Sequence, residues 1–143
     1  YWLSEERERE RYLLHMNSSS DSGYLQFLSR AVDPLVCALS NLGGALRGVD
    51  YGCGPTPTAS ILFRTHGLDV VNYDPFFFPD ALLGDDQFDF LICTEVIEHL
   101  RDPREEFERM IDLVREGGVI ALMTEVWDPS IQFSEWAYLS DPT

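Results

Sequence analysis

Positive charge is scarce in this chain: 10 basic residues face 25 acidic ones across 143 positions, a formal net charge of -15. Nucleic-acid binding draws its affinity from a Lys/Arg footprint that releases counterions, so the composition argues against a polyanionic partner without selecting any other. Cysteine is also sparse. Cys37, Cys53 and Cys93 lie far apart with no Cys-x-x-Cys pair, as expected of a protein in a reducing compartment whose thiols fill core or loop positions. No apolar run approaches the roughly 20 residues that cross a bilayer. The start, Tyr1-Trp2-Leu3-Ser4-Glu5-Glu6-Arg7, lacks a basic-then-apolar export pattern, so a cytoplasmic location without membrane contact is expected. There is no initiating Met, and both ends are expected to have been cut from something longer.

What is present suits one ordinary globular domain: 45% hydrophobic and 24% charged residues, at a length that buries roughly two-thirds of its unfolded surface. Residues 1–43 are expected to form a helical segment and linker, and 44–143 a ligand-binding core. Ser4 to His15 is a charged helical stretch, and the polar run Asn17 to Gly23 a linker. Apolar residues from Tyr24 to Leu42 recur at three- and four-residue spacing, which predicts an amphipathic helix. Asp33-Pro34 either kinks it or starts a second one, and Gly43-Gly44 ends it.

Thereafter strands and helices alternate. Ala45 to Tyr51, Leu68 to Tyr73, Phe88 to Cys93 and Val119 to Thr124 are strand-like, with a weaker candidate at Ala81-Leu82-Leu83. Thr58 to His66 is a helix, with His66 a cation at its C-terminal end. A second helix begins at Asp102-Pro103 and is closed by Gly117-Gly118. This order predicts an α/β fold with a doubly wound, mostly parallel sheet.

In such a sheet, ligands gather beyond the carboxyl ends of the strands. Gly48-Val49-Asp50-Tyr51-Gly52-Cys53-Gly54-Pro55 lies where the first strand turns into its helix, and Gly52 and Gly54 let backbone approach a ligand closely. A dinucleotide loop would need Gly or Ala at position 57, which is Pro57. An acid two residues before the first glycine suits a ligand bearing an ammonium group, as S-adenosylmethionine does. Asp74, 20 residues beyond Gly54, is placed to accept hydrogen bonds from a ribose diol, and Pro75 and Phe76 offer an apolar face to an adenine.

Asp50-x-Gly52-x-Gly54, Asp74, the segment Phe88 to Leu100 with its Glu95-x-x-Glu98-His99-Leu100, and Arg115-Glu116-Gly117-Gly118-Val119-Ile120 resemble successive motifs of class I S-adenosylmethionine-dependent methyltransferases. The similarity is greatest to the ubiquinone-biosynthesis O-methyltransferase group and covers about residues 45 to 126. It implies a Rossmann-like fold and the cofactor S-adenosyl-L-methionine. Asp50 would lie near the methionine ammonium, the Gly52 to Gly54 backbone beneath the methionine and ribose, and Asp74 on the ribose hydroxyls, with Tyr51 and Cys53 counted among the cofactor-binding residues. Asp80-Ala81 would border the adenine, and Thr94 and Glu95 the sulfonium side. The family usually has a third glycine where this chain has Thr56. Its sheet also ends in an antiparallel strand pair that no segment before Thr143 supplies, so the expected sheet lacks its C-terminal strands.

The expected function is methyl transfer to an oxygen, nitrogen or carbon nucleophile of a small molecule by direct displacement, with His99 as general base if the acceptor is a hydroxyl. The alternatives are a methyltransferase-like domain that binds cofactor only to recognise a partner, and a nicotinamide oxidoreductase. Glu95, Glu98 and His99 would share one face if their segment were helical, and could then ligate a divalent metal. No metal is expected, because such a site needs more ligands than the sequence offers. His15 either belongs to a lid with Tyr12 and Asn17 or ends a helix. The aromatics Phe76-Phe77-Phe78, Trp127, Phe133, Trp136 and Tyr138 are expected to be core or covered surface rather than a substrate site. Cys53 is a small filler, not a nucleophile.

Overall fold

The structure is a computed structural model that describes residues 4–14, 20–82 and 87–136. Helix α1 spans Glu5–Leu14 and α2 Ser22–Leu39; then follow β1 Arg47–Tyr51, α3 Thr58–Thr65, β2 Asp69–Tyr73, β3 Phe88–Thr94, α4 Pro103–Leu113 and β4 Val114–Met123. The four strands form a parallel sheet in the order β2-β1-β3-β4, with helices on both faces. Among the described residues no helix is long and apolar enough to cross a membrane.

Side-chain alternation along the strands sorts the core into two layers. On one face Phe90 and Ile92 of β3 pack with Leu28, Val32, Leu35 and Leu39 of α2 and Phe63 of α3. On the other, Val49 and Tyr51 of β1, Tyr73 of β2, and Leu91 and Cys93 of β3 meet Met110 of α4. Burial on both faces explains why β3 is apolar almost throughout. Gly48 is required by this packing, because a Cβ there would lie 2.2 Å from the Phe90 ring.

Helix α2 begins at Asp21, whose carboxylate accepts the N–H groups of Gly23 (2.8 Å) and Tyr24 (3.2 Å). It runs unbroken through Pro34 to Leu39, so Asp33-Pro34 does not start a second helix. The donor lost at Pro34 is outweighed by the four buried side chains that α2 places on the sheet.

Two sequence expectations are corrected. Gly117-Gly118 does not close α4: the helix ends at Leu113 and β4 starts directly at Val114. Val114 pairs with Phe88 and Val119 with Phe90, so the intervening residues of β4 bulge outward. Gly117 takes a φ of 77° in that bulge, and a Cβ on Gly118 would meet the Asp89 carbonyl at 2.7 Å. Asp89 secures the bulge by accepting the Arg47 backbone N–H and Arg115 Nε, each at 2.7 Å. Those donors, the backbone one first, hold its carboxyl below the ordinary range. The weak strand candidate at Ala81-Leu82 is instead a 3₁₀ turn, Pro79–Leu82; Leu83 lies outside the described residues.

Candidate functional site

Strand β1 carries Asp50 between Asn72 of β2 and Ile92 of β3, and then breaks into the glycine turn. Gly52 and Gly54 take φ of 79° and 65°, a region that an L side chain enters at a cost. The N–H groups of Gly52 and Cys53 both donate to the Tyr73 carbonyl, at 2.8 and 3.0 Å, so the end of β2 holds the turn in place. Val96 fills the space beside Gly52, where a Cβ would come within 2.5 Å of Cγ2.

Asp74 completes this frame. One carboxylate oxygen accepts the Gly54 N–H at 3.0 Å, and the other accepts Phe76 and Phe77 N–H at 2.9 and 3.2 Å. The residue is both a turn-forming aspartate and a wall of the cleft, with further lone pairs beyond those three bonds. Burial raises its carboxyl pKa, against the lowering effect of the three backbone donors.

These elements bound a cleft of about 430 Å³ at the carboxyl ends of β1, β2 and β3. Of the residues expected there, Asp50, Gly52, Cys53, Gly54, Asp74, Pro75, Phe76, Thr94, Glu95 and His99 all line it. Tyr51 does not. Its side chain follows the strand alternation to the opposite face, where the phenol donates to Glu106 and the ring lies 4.9 Å from that of Tyr73. The cofactor contact expected of Tyr51 therefore has no side chain on the cleft wall to make it. Asp80 and Ala81 also lie off the cleft lining.

The cleft is electrically negative. Asp50 is buried, and burial first, then the charge of Asp74, pushes its carboxyl up to about 7. Tyr24 is pushed up to about 12 by burial and then by Asp50 and Glu95. Burial also raises the Cys53 thiol, which keeps it protonated and fits a filler. Glu95 has a φ of 54°, the one non-glycine residue with positive φ among those described, and its N–H donates to the Met123 carbonyl at 2.8 Å. Such strain persists where the surrounding structure over-determines it, commonly at functional sites.

After Glu95 the chain forms a 3₁₀ turn, Ile97–His99, rather than an α-helix. Glu95, Glu98 and His99 therefore do not share a helical face, and no group of three His, Cys, Asp or Glu side chains among the described residues is arranged to hold a metal. Thr124 Oγ1 donates to one Glu98 oxygen at 3.0 Å. His66 sits at the C-cap of α3, away from the cleft.

The outer wall was not foreseen. Tyr24, Phe27 and Leu28 of α2 and Glu8 of α1 line the cleft, and so does Tyr12, which the sequence offered only beside His15. Tyr12 lies 6.0 Å from the Phe76 ring, Arg9 sits over Phe77 at 5.5 Å, and Glu8 pairs with Arg101 at 2.8 Å. His15 and Asn17 lie outside the described residues. Phe133 contacts Trp127 and Trp136 in an aromatic group away from the cleft, and Tyr138 lies outside the described residues.

Residues 16–143 match a family model described as a methyltransferase domain. Among curated proteins, the ubiquinone biosynthesis O-methyltransferase of Colwellia psychrerythraea is 31% identical over 88 residues, 61% of this chain and 35% of the relative. That of Stutzerimonas stutzeri is 28% identical over 87 residues, 61% and 38% respectively. A solved Thermotoga maritima chain, titled a SAM-dependent methyltransferase and possible histamine N-methyltransferase, aligns over 82% of this chain and 56% of its own, at 21% identity and a TM-score of 0.39. The chain thus spans little more than a third of the length of the curated relatives it matches. With a family match running from residue 16 to residue 143, the chain belongs to the methyltransferase domain family.

Proposed function

We propose that the cleft binds S-adenosyl-L-methionine and that the protein transfers its methyl group to a small-molecule acceptor. One observation carries this reading: the buried Asp50 and the turn-forming Asp74, which accepts the Gly54 N–H, stand together on the wall of one cleft. The residues fit the cofactor. Nothing lies within 4 Å of where a Gly54 Cβ would project, so ligand can approach the backbone there. A buried carboxylate whose pKa is raised by burial and a neighbouring acid gains from an ammonium partner, whereas a pyrophosphate would add charge of the same sign.

When bound, the cofactor supplies an electrophilic methyl group on a sulfonium. Asp50 holds the ammonium and Asp74 the ribose hydroxyls, while Pro75 and Phe76 cover the adenine. Thr94 and Glu95, at the end of β3, would line the methyl side. Were the acceptor a hydroxyl, His99, on the same cleft wall, would take its proton.

Calorimetric titration with S-adenosylhomocysteine and, separately, with NAD tests the cofactor. Binding of the first and not the second is expected, and a folded sample that binds neither overturns the proposal. Methyl release by the full-length protein then separates an enzyme from a module that uses the cofactor only for recognition.

A further inference from the structure

The amino-acid end of the proposed cofactor carries an ammonium and a carboxylate on one carbon, and Asp50 answers only the ammonium. The carboxylate must then lie beside Asp50, where desolvation without a donor would be costly. Among the described residues no lysine or arginine side chain lines the cleft, and the chain contains no lysine at all. The backbone donors of the glycine turn are engaged as well, Gly52 and Cys53 N–H on the Tyr73 carbonyl and Gly54 N–H on Asp74. Thr58 Oγ1 donates to the Thr56 carbonyl at 3.2 Å.

Tyr24 supplies the missing donor. It stands in the first turn of α2, where its backbone N–H donates to the capping carboxylate of Asp21 at 3.2 Å. Its ring stacks on that of Phe27, with centroids 6.4 Å apart, and both residues line the cleft. The Tyr24 hydroxyl makes no hydrogen bond among the described residues. The charges of Asp50 and Glu95, both on the cleft wall, act on that hydroxyl, which therefore lies on the cleft side of α2 within reach of Asp50. Burial and these two charges keep it protonated, so it is a donor at any physiological pH. A neutral donor suits the position. An arginine there would pair with Asp50 and compete with the ammonium, whereas a phenol serves the carboxylate and leaves Asp50 to its partner.

We propose that the Tyr24 hydroxyl donates to the carboxylate of the bound amino-acid moiety, so that the cleft selects a nucleoside carrying a complete amino acid over one carrying an amine alone. This inference rests on the cofactor reading above.

The test is calorimetric titration of the full-length protein and of its Tyr24→Phe variant with three nucleosides. These are S-adenosylhomocysteine, its decarboxylated analogue, which keeps the ammonium, and methylthioadenosine, which lacks both charges. The wild type should bind S-adenosylhomocysteine at least about tenfold tighter than the decarboxylated analogue, as for a hydrogen bond to a charged group. Tyr24→Phe should lower S-adenosylhomocysteine affinity at least about tenfold and change the other two affinities by less than about twofold, because only one oxygen is removed. A loss shared equally by all three nucleosides marks a merely structural role and overturns the inference. So does unchanged S-adenosylhomocysteine affinity in the variant, or a wild type that binds the decarboxylated analogue as tightly. If the variant does not fold, that wild-type comparison decides. A wild type that is folded and binds none of the three overturns the cofactor reading instead.

Discussion

Asp50 is held inside the protein with its carboxyl raised from 3.8 to about 7, chiefly by burial and secondly by Asp74. The folded state therefore binds this proton more tightly than the unfolded chain does. Stability from this group is full below about pH 4, declines as pH rises towards the folded value, and is flat above about 7. At about 1.4 kcal/mol per tenfold change in proton affinity, the ionised side chain costs the ligand-free protein about 4 kcal/mol at pH 8. Asp50→Asn keeps the shape and removes the charge. It should stabilise the free protein on that scale at pH 8, raising the unfolding midpoint by roughly 10 °C, and should do almost nothing at pH 4. The same change removes the proposed ammonium partner and should weaken S-adenosylhomocysteine binding by about 10- to 100-fold, as for a lost charged hydrogen bond. Thermal unfolding followed by circular dichroism at pH 4, 6 and 8, with calorimetric titration of both proteins, measures both halves. A variant no more stable than wild type at pH 8 would show that burial does not penalise this carboxylate. Unchanged affinity would remove Asp50 from the cofactor site.

Because a cationic ligand group needs Asp50 ionised, S-adenosylhomocysteine affinity should rise with pH through about 7 and then level. Below that pH, binding should release a proton, detectable as a dependence of the binding heat on the buffer's own ionisation heat. Asp74→Ala leaves the Gly54, Phe76 and Phe77 N–H groups without their acceptor, which should cost about 1–3 kcal/mol of stability for each donor that stays buried, and removes the proposed ribose partner, which should lower S-adenosylhomocysteine affinity at least about tenfold; unchanged affinity would count against the site. Gly52→Ala sets a Cβ 2.5 Å from Val96 Cγ2 at a φ of 79° and should cost about 2–4 kcal/mol in urea unfolding, part of which Val96→Ala restores. Tyr51→Phe removes only the bond to Glu106; it should cost about 1 kcal/mol and leave S-adenosylhomocysteine affinity unchanged, and a large affinity loss would contradict its placement.

The pairing of Asp50 with Asp74 was legible because both signals are local: a strand, a turn that needs positive φ, and an acid at the next strand's end. The direction of the Tyr51 side chain was legible too: the period of two along β1 sends it to the α4 face beside Tyr73, although the contiguous motif counts the residue with the ligand's. At Gly117-Gly118 the need for glycine was visible and its reason was not. Gly117 is needed for a φ of 77° in the bulge, and Gly118 because a Cβ would meet Val114 Cγ1 at 2.5 Å and the Asp89 carbonyl of β3 at 2.7 Å, contacts that exist only once β4 pairs with β3. Pro34 shows a local rule yielding to packing: the side chains that α2 buries on either side of it hold the helix together. The cleft's outer wall was the least legible part for a general reason. Tyr24 and Phe27 belong to the same apolar stripe as Leu35 and Leu39, and an amphipathic pattern is identical whether a helix covers core or ligand. The difference is made by where the strands end: Tyr24, Phe27 and Leu28, in the first two turns of α2, line the cleft at their carboxyl ends, while Val32, Leu35 and Leu39 pack with Phe90 and Ile92.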